Sequence, residues 1–242
     1  MGVSGRGCRV GAVLAVFVVG AAAQEAPGRP AVGDGGKAAG AVATVTYTFD
    51  RPGLSVPRFR MTVREDGTGS FAGDEVLAAG AGPGDARGPT THVARGITLS
   101  AATTAKVFKA ARAERYFNVA CASRAKNIAD TGAKTLSYEG PDGKGSCAYN
   151  YSENKDVVML TELFLAISTT LDEGRRLEFK SRYDRLGLDA ELEVLQEAND
   201  SGRAVELGTI APVLRQLAGD TEMMERVRLR AAKLLDRAAN GR

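Results

Sequence analysis

Apolar side chains at every second position dictate how the first half of this chain folds. Val45, Tyr47 and Phe49 alternate with Thr44, Thr46 and Thr48, and Phe59, Met61 and Val63 alternate with Arg58, Arg60, Thr62 and Arg64. Successive strand residues point to opposite sides, so each run is a strand with one face in a core and one in solvent. Asp66-Gly67 gives a tight turn, and Ser70-Phe71 is a candidate return strand. From Gly73 to Pro89 the chain is mostly Gly, Ala, Asp and Pro, which reads as a long flexible loop. Val93, Ile97 and Leu99 mark a further strand. Leu136 and Tyr138, then Cys147, Tyr149 and Tyr151, mark two more around the hairpin signal Gly140-Pro141-Asp142-Gly143-Lys144-Gly145.

Two helices interrupt and follow this pattern. Ser100 is a plausible N-cap for a helix over about 101–114, and Val157, Leu160, Leu163, Phe164, Ile167 and Leu171 recur at helical spacing. The order β-β-β-α-β-β-α predicts an α+β fold, an antiparallel sheet of about five strands packed with two helices. After Asp172 the strand signals stop. Gly187, Gly202, Gly208 and Gly219 punctuate helical stripes: Leu188, Leu192 and Leu195; Ile210, Val213, Leu214 and Leu217; and Val227, Ala231, Leu234, Leu235 and Ala238. The expected layout is an α+β domain over 42–172 and a small all-helical C-terminal unit over 173–242. The link at Asp172-Glu173-Gly174 is short, and 70 residues make a marginal core alone, so the unit should dock on its neighbour.

The N-terminus sets the expected compartment. Arg6 and Arg9 precede an apolar run from Val10, which ends in Ala21-Ala22-Ala23 before Gln24. That is the layout of a secretory signal peptide over 1–23, with cleavage between Ala23 and Gln24. Residues 24–41, rich in Pro, Gly and Ala, read as a disordered linker. The expected location is exported, periplasmic or secreted, with no membrane span once the signal is removed. Cys8 leaves with the signal, and Cys121 and Cys147 remain as a predicted disulfide in an oxidising compartment. Without Arg6 and Arg9, the 32 basic residues fall to 30, against 29 acidic ones. Near-neutrality argues against nucleic acid as a partner. With no Trp and one His there is little material for a sugar-stacking cleft or a His-based metal site, and no cofactor motif is present.

Several motifs invite chemistry. Asp130-Thr131-Gly132-Ala133 resembles the catalytic turn of retropepsin-like aspartic proteases, where two Asp residues share a proton. That family places an apolar strand before the Asp, where this chain has Lys126-Asn127-Ile128-Ala129, and no second D-T/S-G follows. The favoured reading is a turn into a strand. His92, the only histidine, has the parity of a solvent-facing residue, and no G-x-S-x-G elbow supplies it with a nucleophile. Lys144 lies in the hairpin without Walker spacing. Glu193 and Glu197, at i and i+4, read as a solvated face without further ligands. Arg175, Arg176, Lys180, Arg182 and Arg185, interleaved with Glu173, Glu178 and Asp184, read as a salt-bridge-laced helix, with binding of an acidic partner as the alternative.

Two resemblances remain. Ile210-Ala211-Pro212-Val213-Leu214-Arg215-Gln216-Leu217, Asp220 and Val227-Arg228-Leu229-Arg230-Ala231-Ala232-Lys233-Leu234-Leu235 resemble one HEAT repeat, a family that implies protein interaction. One copy is short of the three or so repeats a solenoid needs, so a stabilising hairpin is the other reading. The chain is also similar to uncharacterised exported bacterial proteins of small α+β type. The features that carry this are the strand-Asp66-Gly67-strand start, the helix ending at Glu114-Arg115-Tyr116-Phe117, the Asp130 to Glu139 turn and strand, and the hairpin at 140–145. No catalytic, cofactor-binding or metal residue is assigned. The leading expectation is a non-catalytic interaction or envelope-structural module, with another protein bound through the helical unit or the sheet face. The alternatives are an extracytoplasmic hydrolase with unidentified carboxylates, or an inhibitor-like module binding one enzyme through its sheet face or the 73–89 loop.

Overall fold

The alternating segments close into a single sheet. The structure is a computed structural model that describes residues 42–76 and 89–240. The expected signal peptide with its Ala23–Gln24 cleavage site, the linker over 24–41 and residues 77–88 lie outside the described residues. The strands are β1 (Thr44–Asp50), β2 (Arg58–Arg64), β3 (Thr68–Val76), β4 (Thr90–Thr98), β5 (Ala133–Gly140) and β6 (Gly143–Tyr149). All pairs are antiparallel, in the order β4-β3-β2-β1-β5-β6. Val45 lies opposite Val63 and Tyr138, and Tyr47 opposite Met61 and Leu136. This register gathers the large apolar side chains on one face, where all six are buried.

That face is covered by α1 (Ala101–Ala113) and α2 (Lys155–Tyr183). Ser100 caps α1 as expected, its side chain accepting from the Thr103 amide. Tyr47 stacks on Phe164 of α2 with ring centroids 5.0 Å apart, and Val107, Phe108, Leu160 and Ile167 complete the layer.

The sheet has six strands rather than about five, because β3 is a full strand of nine residues. Gly73–Val76 continue the pairing and do not begin the expected loop. Gly73, read as the start of that loop, serves the strand, because a side chain there would press on the Arg58 carbonyl and Phe59 of β2; one at Gly69 would collide with the Thr62 carbonyl. Tyr151 lies beyond the end of β6 and is exposed.

The helical half begins inside α2. Asp172, Glu173 and Gly174, expected to join two units, are interior residues of this 29-residue helix. Asp172 pairs with Arg175 and Arg176 at i+3 and i+4, which supports the helix there, and Gly174 packs directly on Ile210. Then come α3 (Leu188–Asp200), α4 (Ala211–Gly219) and α5 (Glu225–Ala239). Leu188, Leu192, Leu195, Ile210, Leu214, Leu217, Val227 and Leu234 join the same core as the sheet. Polar ties reinforce the join. Ser100 donates from its amide and hydroxyl to the two Glu206 carboxylate oxygens at 2.8 and 2.7 Å, and Thr170 Oγ1 donates to the Val205 carbonyl at 2.6 Å.

Candidate functional site

The protease-like motif folds into a structural knot. Asp130 is exposed and its Oδ1 accepts from the Gly132 amide at 2.9 Å, an Asx turn. Thr131 Oγ1 donates to the Asn150 carbonyl at 2.6 Å. Lys134, buried under the knot, reaches Thr131 O, Thr131 Oγ1, Gly132 O and Asn150 O at 2.7–2.9 Å. Burial draws this amine below its ordinary range, with Arg51 acting in the same direction. Asp130 opposes that, and the four oxygens around the amine make Lys134 a clamp on the turn. No second carboxylate stands beside Asp130 among the described hydrogen bonds. Cys121 and Cys147 form a disulfide, which ties the irregular segment before Asp130 to β6.

The other flagged residues are exposed. His92 sits opposite Asp74 on the outer sheet face, Nδ1 to Oδ1 3.0 Å. Lys144 pairs with Glu139 at 3.0 Å in solvent. Glu193 and Glu197 lie on the exposed side of α3, and among the described residues no cluster of three or more His, Cys, Asp or Glu could hold a metal ion.

The turn at Asp66-Gly67, the end of α1, β5 and the β5–β6 hairpin converge on Arg112. Its guanidinium meets Glu65 and Asp142 at 2.7 Å each and donates to the Tyr138 hydroxyl at 3.3 Å. Tyr138 donates in turn to Asp142. Burial, then this hydrogen bond, pushes the Tyr138 hydroxyl up to about 12, so it remains a donor. Arg115, Tyr116 and Phe117 follow with φ of 49°, 60° and 65°, one left-handed turn of side-chain-bearing residues. Such backbone costs about 1–2 kcal/mol per residue. It is offset by packing of Tyr116 on Tyr138, centroids 5.0 Å apart, and against Gly143, and by burial of Phe117. A groove of about 570 Å³ lies alongside, lined by Glu65, Asp66, Thr104, Phe108, Lys109 and Arg112. Its acids and Arg112 are committed to ion pairs or turn hydrogen bonds, and Thr104 donates to the Ser100 carbonyl at 2.9 Å. The arrangement holds the turn in place and presents no nucleophile with a base.

The basic run is laced with salt bridges as expected, and half of it faces inward. Glu75, with 0% relative exposure, receives Arg95 at 2.6 Å and Arg175 at 3.0 Å. Asp172 holds Arg175 at 2.8 Å and Arg176 at 3.2 Å, and Glu191 of α3 holds Lys180 at 3.1 Å. Burial raises the Glu75 carboxyl despite its two arginines. Glu173 is pushed up to about 8 by burial first and then by its hydrogen bond with Glu191. Glu75, Asp172, Glu173 and Glu191 thus form a buried cluster of carboxylates, tied together by Arg95, Arg175, Arg176 and Lys180.

The outward half of the same run carries a different signal. Phe179, Tyr183 and Leu186 are 44%, 72% and 81% exposed, three of the six exposed large apolar side chains of the described chain. The Phe179 and Tyr183 rings lie 4.9 Å apart. Residues 182–186 are all exposed, and the exposed Arg182 has no ion pair among the described residues. The sequence holds the signal at positions i, i+4 and i+7, off the Leu171/Leu177 core stripe, where the charges around it hid it.

No protein-family model matches the chain, and no curated protein matches it at a significant level.

Proposed function

We propose that this is an exported, non-catalytic interaction module that docks another protein through its helical C-terminal half. The observation that carries the reading is the exposed cluster Phe179, Tyr183 and Leu186 with Arg182 among them. Aromatic and Arg side chains dominate the centres of protein interfaces, and apolar groups left in solvent on a folded surface mark such sites. The cluster lies at the end of a helix with all of residues 182–186 exposed, an arrangement that suits a binder. The buried carboxylates Glu75 and Asp172 are paired with Arg95, Arg175 and Arg176.

Export rests on the signal-peptide layout and is supported by the Cys121–Cys147 disulfide. Among the described residues no helix is long and apolar enough to cross a membrane. The helices α4 and α5 pack on each other. Their sequence likeness to one HEAT repeat agrees with an interaction role. The sequence resemblance to uncharacterised exported α+β proteins agrees with an export setting.

The test is quantitative affinity capture from the native envelope fraction with the wild type and with Tyr183→Asp/Leu186→Asp. A partner recovered with the wild type and lost at least tenfold with a folded variant supports the reading. Identical sets of captured proteins, or no partner at all, overturn it.

A further inference from the structure

The face of the sheet turned away from the helices has its own chemistry. Strand alternation sends the large apolar side chains of β1 and β2, and Phe71 of β3, inward; the outer positions carry short or polar side chains, except Val76 at the end of β3, which is buried. The register aligns Ser146, Ser137, Thr46, Thr62 and Ser70 in one row, with Gly96 of β4 closing it. Five hydroxyls therefore cross the sheet at right angles to the strands, one from each of five neighbouring strands. The Thr46 and Thr62 hydroxyls are 3.3 Å apart. Neighbouring strands are about 4.8 Å apart, so the row is on the order of 20 Å long.

Charge is distributed unevenly on this face. Asp50 pairs with Arg58, Asp74 with His92 and Glu139 with Lys144, each at 3.0 Å, and these pairs sit toward the ends of the strands. Arg60 and Arg64 make no ion pair within 4 Å among the described residues, Asp66 being the carboxylate nearest in effect to Arg64, and both are exposed. They flank Thr62 along β2, so the hydroxyl row passes between them at about 13 Å from one Cα to the other. Shallow grooves of about 430 and 370 Å³ open on the face, one including Arg60, the other Thr46, Ser137 and Ser146.

We infer that this face binds an extended acidic polysaccharide, a uronate chain laid along the hydroxyl row between Arg60 and Arg64. Ser and Thr hydroxyls both donate and accept, which suits a ligand covered in hydroxyls. Guanidinium groups take carboxylates in bidentate fashion. The strand spacing is close to the advance of one sugar in an extended chain, so successive sugars meet successive strands. A protein partner is disfavoured because interface centres need aromatic or large aliphatic anchors, and this face has none. The inference is independent of the docking site at Tyr183 and Leu186.

The test measures binding of the full exported chain to fluorescently labelled polygalacturonate by anisotropy, with neutral dextran and poly-L-glutamate as comparison probes. Polygalacturonate should bind, and the other two should bind at least tenfold more weakly. Arg60→Ala/Arg64→Ala should weaken polygalacturonate binding at least tenfold. Thr46→Val/Thr62→Val, which keeps both charges and strand-forming residues, should weaken it several-fold. Near-UV circular dichroism and thermal melting check that each variant is folded. Absence of polygalacturonate binding, or wild-type binding by either folded variant, overturns the inference. Equal binding of poly-L-glutamate also overturns it, in favour of an acidic protein read by charge alone.

Discussion

Replacing Glu75 is the sharpest perturbation of the interior. Its carboxylate is fully buried and touches Arg95 of β4 and Arg175 of α2, so it joins the sheet edge to the long helix. Burial raises this carboxyl even beside two cations, so the ion pairs do not fully offset desolvation. The cost of removing it comes from the arginines left behind. Breaking a buried pair by taking one partner costs about 3–5 kcal/mol. Two features favour the low end. Arg175 keeps Asp172 at 2.8 Å, and the Arg95 and Arg175 side chains retain 27% and 20% exposure, enough to reach some water. Glu75→Gln should therefore cost about 3 kcal/mol in urea unfolding at pH 7. Glu75→Met/Arg95→Met removes acid and orphan together, so its cost should fall short of the sum of the single substitutions by about 1–3 kcal/mol. A cost below about 0.5 kcal/mol for Glu75→Gln, or additive behaviour in the cycle, would refute the buried-charge reasoning.

Three further outcomes follow from named contacts. Glu173 titrates higher in the fold than in the unfolded chain, so its contribution is fully present below the ordinary glutamate range and is lost as pH rises through about 8; Glu173→Gln should gain stability relative to wild type between pH 5 and pH 9, and a flat difference contradicts this. Cys121 and Cys147 are 26 residues apart, so Cys147→Ser should cost about 3 kcal/mol in the chain-entropy picture, read from urea unfolding with and without reductant. Asp130→Asn keeps the Asx turn and should change stability by less than about 0.5 kcal/mol, whereas Lys134→Met strips donors from buried carbonyls and should cost about 1–3 kcal/mol; the reverse order would restore a special role to Asp130.

Local patterns in the sequence carry much of this architecture. Alternation from Thr44 to Arg64 places two strands and their buried face, Ser100 announces α1, and the Pro141–Gly145 stretch places the β5–β6 turn. What stays hidden depends on partners far along the chain. Glu75 reads as loop until Arg175, a hundred positions away, is seen beside it. The length of β3 is masked because Gly69 and Gly73, loop-like in isolation, are demanded by close approach to β2. Asp172-Glu173-Gly174 has the composition of a linker and is helical because its charges are paired and Gly174 receives Ile210. The left-handed turn at Arg115–Phe117 has no local signature, since neither Gly nor Asn marks it. The exposed cluster of Phe179, Tyr183 and Leu186 is the same case, hidden in the sequence by the charges that surround it.

Site-specific photo-crosslinking tests the central claim most directly. A benzoylphenylalanine at position 183 or 186, in cells that export the protein, should give a discrete adduct with one other protein. The same group at Leu229 or Tyr151, also exposed apolar positions, should give none. Adducts of equal yield at all four positions, or none at 183 and 186, would contradict an interaction surface at the end of α2.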